Sequence, residues 1–306
     1  MRHVRQRLGV SERRACRVLS QPRSSQRYQG RKPERDRSLV SRMEKLARKH
    51  PRYGYRRIHA LLRREGWRVN RKRVQRLWRE HGFKVPLRQG RRRRLGSSEN
   101  GAQRRRAEYP NHVWSYDFTL DATEDGRRLK FLPVVDEFTR ECHALEVERS
   151  ITAEGVIATL DYLFRVHGEP EYIRSDNGPE FIANAIKQWL AASGVRTLYI
   201  EPGSPWENAY IESFNSRLED ELLGRELFTS LTEAKVLAEE WRLAYNHERP
   251  HSALGYKTPA EFAAEWRSAS VAFAPVGAPA FVHPHQGESE IILMTEGNPT
   301  SHPVLP

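Results

Sequence analysis

Three carboxylates in this chain stand out by type and position: Asp117, Asp176 and Glu212. Asp117 falls within residues 113–120, where Trp114, Tyr116, Phe118 and Leu120 alternate as one face of a strand. That places Asp117 mid-strand on the other face, with Ser115 and Thr119. A carboxylate in an apolar strand needs a partner or a cation, because burying bare charge is expensive. Asp176 follows the short strand expected at 171–174, inside Ser175-Asp-Asn-Gly178. Strand ends are where α/β domains place their sites. Glu212 lies on a helix expected over 208–223, about 100° round from Ile211 and so at the edge of its buried stripe. Singly each reads blandly: Asp-Asn-Gly is usually a turn, and a helical Glu is usually solvated. Together they make a set that can hold cations.

The elements around them follow from periodicity. Strands are expected at 113–120, 129–135 and 142–148, as an antiparallel meander, then at 171–174 and 196–200. Helices are expected at 153–166, 181–193, 208–223 and 232–246. The order βββαβαβα is that of a mixed α/β domain like ribonuclease H, placed here at 109–228 with a helical extension at 229–267. Ahead of it, residues 1–30 suit a partial helix-turn-helix, with Ser11 as a cap. Residues 31–85 suit a three-helix module, with Gly66 and Gly82 closing its second and third helices and Asn70 capping the third. Residues 86–108 read as a basic linker, and 268–306, rich in Pro, Ala, Gly and Ser, as a poorly ordered tail.

Charge divides the chain in the same place. Residues 1–108 carry 36 Lys+Arg against 8 Asp+Glu, a balance of +28, whereas 109–306 balance to −15. A basic half joined to an acidic half suits a polyanion-binding module joined to something else. The candidate DNA contacts are Arg56 and Arg57, then Arg71, Lys72, Arg73 and Arg76 on the third helix, Arg91, Arg92, Arg93 and Arg94 in the linker, and Arg217. Only Cys16 and Cys142 are present, so a disulfide framework is excluded and a reducing compartment is favoured. No apolar run approaches membrane-spanning length.

Four longer words carry a resemblance. Trp114-Ser-Tyr-Asp-Phe-Thr119, Ser175-Asp-Asn-Gly-Pro-Glu-Phe181, Pro205-Trp-Glu-Asn-Ala-Tyr-Ile-Glu-Ser-Phe214 and Tyr245-Asn-His-Glu-Arg-Pro-His-Ser-Ala-Leu254 resemble the second-frame product of insertion-sequence family three. Tyr53-Gly-Tyr-Arg-Arg-Ile58 and Val69-Asn-Arg-Lys-Arg-Val74 resemble the helical module ahead of its core. The 35 residues between Asp176 and Glu212 match the DDE transposases and retroviral integrases. The resemblance implies a ribonuclease H-like core that cuts and joins DNA at insertion-sequence ends. It implies two Mg²⁺ or Mn²⁺ ions held by Asp117, Asp176 and Glu212, with Asp117 bridging. All-oxygen ligands suit those metals, and two ions about 3.5–4 Å apart serve in-line displacement at phosphorus. The implied partners are element ends and target DNA, further copies of the chain on DNA, and a first-frame protein or a frameshift fusion. The implied location is the bacterial cytoplasm, at the nucleoid when bound to DNA.

One position departs from the family pattern. A Lys or Arg is expected seven residues after Glu212, where this chain has Glu219. On an α-helix Glu219 projects within about 20° of Glu212, so a carboxylate replaces a cation facing DNA. Asn208, as a helix cap, and Arg249 and His251, in the C-terminal loop or on DNA, complete the candidate positions. Two rivals stay open: a structure-specific nuclease with the same acids, and a non-catalytic DNA-binding protein derived from a transposase.

Overall fold

The computed structural model describes residues 2–27, 32–86, 106–175, 180–199 and 209–272. Helices come first: α1 (Arg2–Leu8), α2 (Glu12–Val18) and α3 (Arg23–Arg27). α1 has no apolar period to announce it. Ser11 caps α2, its hydroxyl accepting from the Arg14 amide at 3.3 Å. Next come α4 (Lys32–Lys49), α5 (Tyr55–Arg64) and α6 (Arg71–Glu80). Leu39, Met43 and Leu46 of α4, Ile58 and Leu62 of α5, and Val74, Leu77 and Trp78 of α6 close on one core. Asn70 Oδ1 accepts from the Lys72 amide at 2.8 Å and so starts α6. Gly66 and Gly82 leave α5 and α6 at φ 85° and 67°, a left-handed turn that other residues adopt at a cost. Residues 87–105, which hold Arg91 to Arg94, lie outside the described residues.

The alternating run at 113–120 builds two strands rather than one: β1 (Val113–Tyr116) and β2 (Thr119–Ala122). Both lie along β3 (Arg128–Asp136) in the same register, Tyr116↔Val134 and Thr119↔Phe131. Continuing that register sets Pro133, which has no N–H, opposite Asp117. The Phe118 amide, which by the ladder's alternation faces away from β3, is taken by Asp117 Oδ1 at 2.7 Å. Asp117 is therefore at a break just past β1, not mid-strand.

β4 (Cys142–Glu148) pairs antiparallel with the far side of β3, while β5 (Tyr172–Ser175) runs parallel to β1, and β6 (Arg196–Tyr199) parallel to β5. The strand period of two divides the sheet's side chains between two cores. Trp114, Tyr116, Leu132, Val134 and Ile173 pack under α7 (Ala153–His167) and α8 (Glu180–Ala192). Leu129, Phe131, Val135, Leu145 and Val147 pack under α9 (Ala209–Leu218) and α10 (Leu231–His247). Leu120, expected on the aromatic face, is 58% exposed at the end of that row.

The helix expected over 208–223 is also two things. It is α-helical to Leu218 and then a π-turn, Glu219–Leu223. Beyond α10 come a 3-10 turn, Ser252–Leu254, and α11 (Pro259–Ala272), so the first residues of the expected tail are helical. Met1–Ala264 form one unit and Glu265–Pro306 a second.

Candidate active site

The break after β1 presents Asp117 as a half-buried carboxylate with both oxygens engaged. Oδ1 holds the Phe118 amide, and Oδ2 accepts from Asn215 Nδ2 at 2.9 Å. Asn215 lies on α9, which is fixed to the sheet by Ile211, Phe214 and Leu218, all 3% exposed or less. Glu212 is in the first turn of the same helix and half-buried. Residues three apart on a helix are neighbours, with Cβ atoms about 5–6 Å apart. The Asn215–Asp117 bond thus turns the Glu212 side of α9 toward Asp117. Asn215 Oδ1 is buried and has no hydrogen-bond partner.

β5 brings the chain to the same edge. Ser115 on β1 lies beside Arg174 on β5, and the strand ends at Ser175. Asp176 follows directly in sequence and lies outside the described residues, as does Asn208. Among the described residues, no group of three metal-ligating side chains is assembled.

Beneath this edge is a buried polar layer. Arg174 Nε stands 3.0 Å from Glu137 Oε1, with the two side chains 5% and 0% exposed. The Ser115 hydroxyl donates to the same carboxylate. Ser115 and Arg174 each sit two residues before an aspartate, Asp117 and Asp176, so this layer ties together the strands that lead to both. Asp136 anchors the β3–β4 turn, accepting from the amides of Asn111 at 2.8 Å, Phe138 at 2.6 Å and Thr139 at 3.0 Å. Burial pushes its carboxyl up, and those amides oppose the rise. On the helix side, the Arg140 guanidinium lies 3.8 Å from the centre of the Tyr210 ring.

The expected cations divide into two kinds. Arg56, Arg71 and Lys72 are exposed at the helical module. Tyr55 is held below the usual phenol range by its hydrogen bond to Arg56, with Arg71 and Arg79 adding to the effect. Arg79, which the sequence pattern does not single out, therefore shares that basic face. Arg73 and Arg76 also serve the fold: both bind Asp36, at 2.9 and 2.8 Å, and Arg76 also pairs with Glu80. Asp36 is 6% exposed. Burial raises its pKa, and the two guanidiniums outweigh that and lower it. Arg57 is drawn to Glu221 at 3.5 Å and lies over the Tyr53 ring. All three thus have internal partners, while the Arg73 and Arg76 side chains stay 41% and 40% exposed.

The C-terminal word is likewise structural. Arg249 is 3% exposed and grips Glu221 through two bonds, at 2.8 and 2.7 Å. Its Nη1 lies 3.3 Å from His251 Nε2, and burial with Arg249 nearby keeps that imidazole neutral. Asn246 binds the Cys142 backbone from both sides, at 2.9 Å each. Arg217, half-buried, helps hold Glu221 ionised. Glu219 is exposed and begins the π-turn, so its alignment with Glu212 no longer follows from α-helical spacing.

Known proteins match this architecture piece by piece. Two Integrase core domain families match residues 107–205 and 193–259, and an HTH-like domain family matches 34–93. The chain is 43% identical over 268 residues to an insertion element IS407 protein of Burkholderia multivorans, covering 88% of this chain and 96% of that one. It is 28% identical to the transposase InsD for insertion element IS2D of Escherichia coli, over 74% of this chain and 78% of that one. A solved structure of the HTLV-2 integrase catalytic core domain in complex with magnesium aligns at 18% identity and a TM-score of 0.38, over 51% of this chain and 99% of that one. The mixed sheet with helices on both faces is the expected ribonuclease H-like core, and the helices ahead of it include the expected helix-turn-helix-like module. The chain belongs to the insertion-sequence transposases, as a family-three second-frame protein built from a helix-turn-helix-like module and an integrase core.

Proposed function

We propose that this transposase cuts and joins DNA strands at the ends of its element through Asp117, Asp176 and Glu212. The observation that carries the reading is the Asn215–Asp117 hydrogen bond, which sets the helix bearing Glu212 against the strand end bearing Asp117. Asp176 is taken as the third acid because it follows β5, the parallel neighbour of β1.

These acids suit Mg²⁺ or Mn²⁺, because every donor is a carboxylate oxygen. The buried Asn215 Oδ1 beside Asp117, without a protein partner, fits a site that an ion and its water would complete. When bound, the ions lower the pKa of the attacking hydroxyl and stabilise the leaving oxygen. Asp117 and Glu212 would hold the cations from the end of β1 and from α9, with Asp176, which follows β5 in sequence, as the third ligand. Asn215 restrains Asp117 through its hydrogen bond, and Glu137, accepting from Ser115 and paired with Arg174, ties β5 to β1. In the first step a water oxygen bonds to phosphorus as the bond to the 3′-oxygen breaks, leaving a 3′-hydroxyl. In the second step that hydroxyl oxygen attacks a target phosphodiester, and a target 3′-oxygen leaves. No protein atom becomes bonded to DNA. Arg56, Arg71, Lys72 and Arg79 supply a basic face for element DNA. Further copies of the chain, and a first-frame protein, are proposed to join it on paired ends.

The test is nicking and strand transfer on labelled duplexes carrying the element's own terminal repeats. Asp117→Asn, Asp176→Asn and Glu212→Gln keep side-chain shape but lose the charge that holds the cations. Each is expected to lower the rate by at least about a thousandfold while DNA binding persists. Near-native turnover in any one of them removes that residue from the site. DNA binding by the unaltered chain, with no cleavage in Mg²⁺ or Mn²⁺, would favour the non-catalytic alternative.

A further inference from the structure

We infer that Glu221 is a positioning residue that latches the helical DNA-binding module to the helix bearing Glu212. The inference rests on the catalytic reading of Glu212 for its functional half only.

The latch starts from backbone geometry. The π-turn after Leu218 is closed by the Gly224 amide, which donates to the Glu219 carbonyl at 2.8 Å, five residues back. A Cβ at position 224 would stand 2.9 Å from that carbonyl oxygen, so the closure requires glycine. π-Segments are rare, occur mostly as single turns within α-helices, and are frequent at functional sites. This one carries Glu221 inward, where its side chain is 9% exposed.

Glu221 meets two guanidiniums from opposite sides of a seam. Arg249, from the core, binds both of its oxygens, and Arg57, from the helical module, lies 3.5 Å away. Burial lowers the pKa of Arg57, and Arg249 lowers it further, so the two cations repel each other. Glu221 is what makes their approach favourable. The rest of the seam has one polarity. Lys49, Arg52 and Arg64 of the module reach Glu248, Asp220 and Glu261 of the core. Arg52 also donates to the Asp220 carbonyl at 3.2 Å, and Arg64 to the Glu248 carbonyl at 3.1 Å. These cations are held by protein, which leaves the Arg56, Arg71 and Arg79 face for DNA. The π-turn continues α9 without a break, because Leu218 keeps α-helical dihedrals. The segment that receives the module is thus one helix with Glu212 and Asn215. Docking and the placement of Glu212 are then one mechanical event.

Neutralising Glu221 leaves Arg249 and Arg57 buried and opposed. Glu221→Gln is expected to undock the module, and Arg57→Gln in the same chain is expected to relieve the repulsion and restore part of the docking. Gly224→Ala disturbs the π-turn without changing charge and is expected to behave like Glu221→Gln. The experiment uses the full chain and compares hydrogen exchange over 49–64 and 209–224, binding of element-end duplex, and cleavage rate at saturating duplex. Glu221→Gln should speed exchange in both segments by about tenfold or more. End affinity should change by less than about threefold while the saturated rate falls about tenfold or more. Glu221/Arg57 coupling should appear as partial recovery in the double variant. Faster exchange confined to 209–224, or an unchanged rate despite undocking, overturns the latch. If the unaltered chain fails to cleave, the catalytic reading has failed, and exchange at 49–64 still decides whether Glu221 docks the module.

Discussion

At the scale of single residues, the site turns on an amide. Asn215 gives one hydrogen to Asp117 and leaves its own oxygen buried without a protein partner. An Asn in a helix three residues after a Glu is unremarkable in sequence, so nothing in the pattern singles it out except its nearness to Glu212. Asp117 and Glu212, by contrast, are proposed from their surrounding words alone. Asn215→Ala removes the donor without adding bulk. It is expected to raise the Mg²⁺ concentration for half-maximal cleavage and lower the saturated rate about tenfold, since a loosened ligand costs affinity first. Asn215→Asp, with a second carboxylate against Asp117, is expected to be worse than alanine. Equal Mg²⁺ dependence in native chain and Asn215→Ala would show that the amide only packs. Arginines are harder to sort from sequence than acids. Arg73, Arg76, Arg71 and Lys72 share one helix and one sign, and the partner that separates them, Asp36, lies more than thirty residues earlier.

At the scale of elements, periodicity finds segments and misses their interruptions. Alternation runs unbroken through 113–120, yet the ladder stops at Asp117, where Pro133 has no N–H to offer. Five residues of π-turn do not change the apolar spacing enough to be read, and Gly224 is its one sequence mark. Helix ends fare better, because caps are chemical signals. Asn70 is the clearest, holding the Lys72 amide at 2.8 Å at the start of α6. Asn70→Ala is expected to destabilise the helical module by about 1 kcal/mol. The measurement is a urea titration followed by Trp67 and Trp78 fluorescence, and a midpoint equal to that of the native chain would mean that α6 needs no cap.

At the scale of the whole molecule, the +28 of the first 108 residues is partly spent inside the protein, and the seam makes that visible in acid. Burial, with Lys49 adding to it, pushes the His50 imidazole from 6.5 down to about 4. A depressed base favours the folded state fully above its ordinary value, and that contribution is lost as pH falls from 6.5 toward 4. Burial works to raise the Glu221 carboxyl, but Arg249, with Arg57, holds it below the usual 4.5; its share is present above 4.5 and is lost as pH falls through the depressed value. Both act in one direction, so hydrogen exchange at 49–64 is expected to accelerate as pH drops below 6.5, after correction for intrinsic rates. His50→Phe keeps the stacking on Tyr53, whose ring centre lies 4.5 Å away, and should reduce that acceleration between 6.5 and 4. Identical pH curves for the two proteins would remove His50 from the account. The Asn246 clamp has a consequence of a different kind. Among the described residues β4 pairs only with β3, so its outer side is an open sheet margin, the kind of backbone row that recruits strands from other molecules. Asn246 occupies both the amide and the carbonyl of Cys142 there, and Arg242 caps the same carbonyl at 3.0 Å. α10 therefore acts as a selvedge at the Cys142 end of this margin, where a strand from another molecule would find the backbone groups already taken.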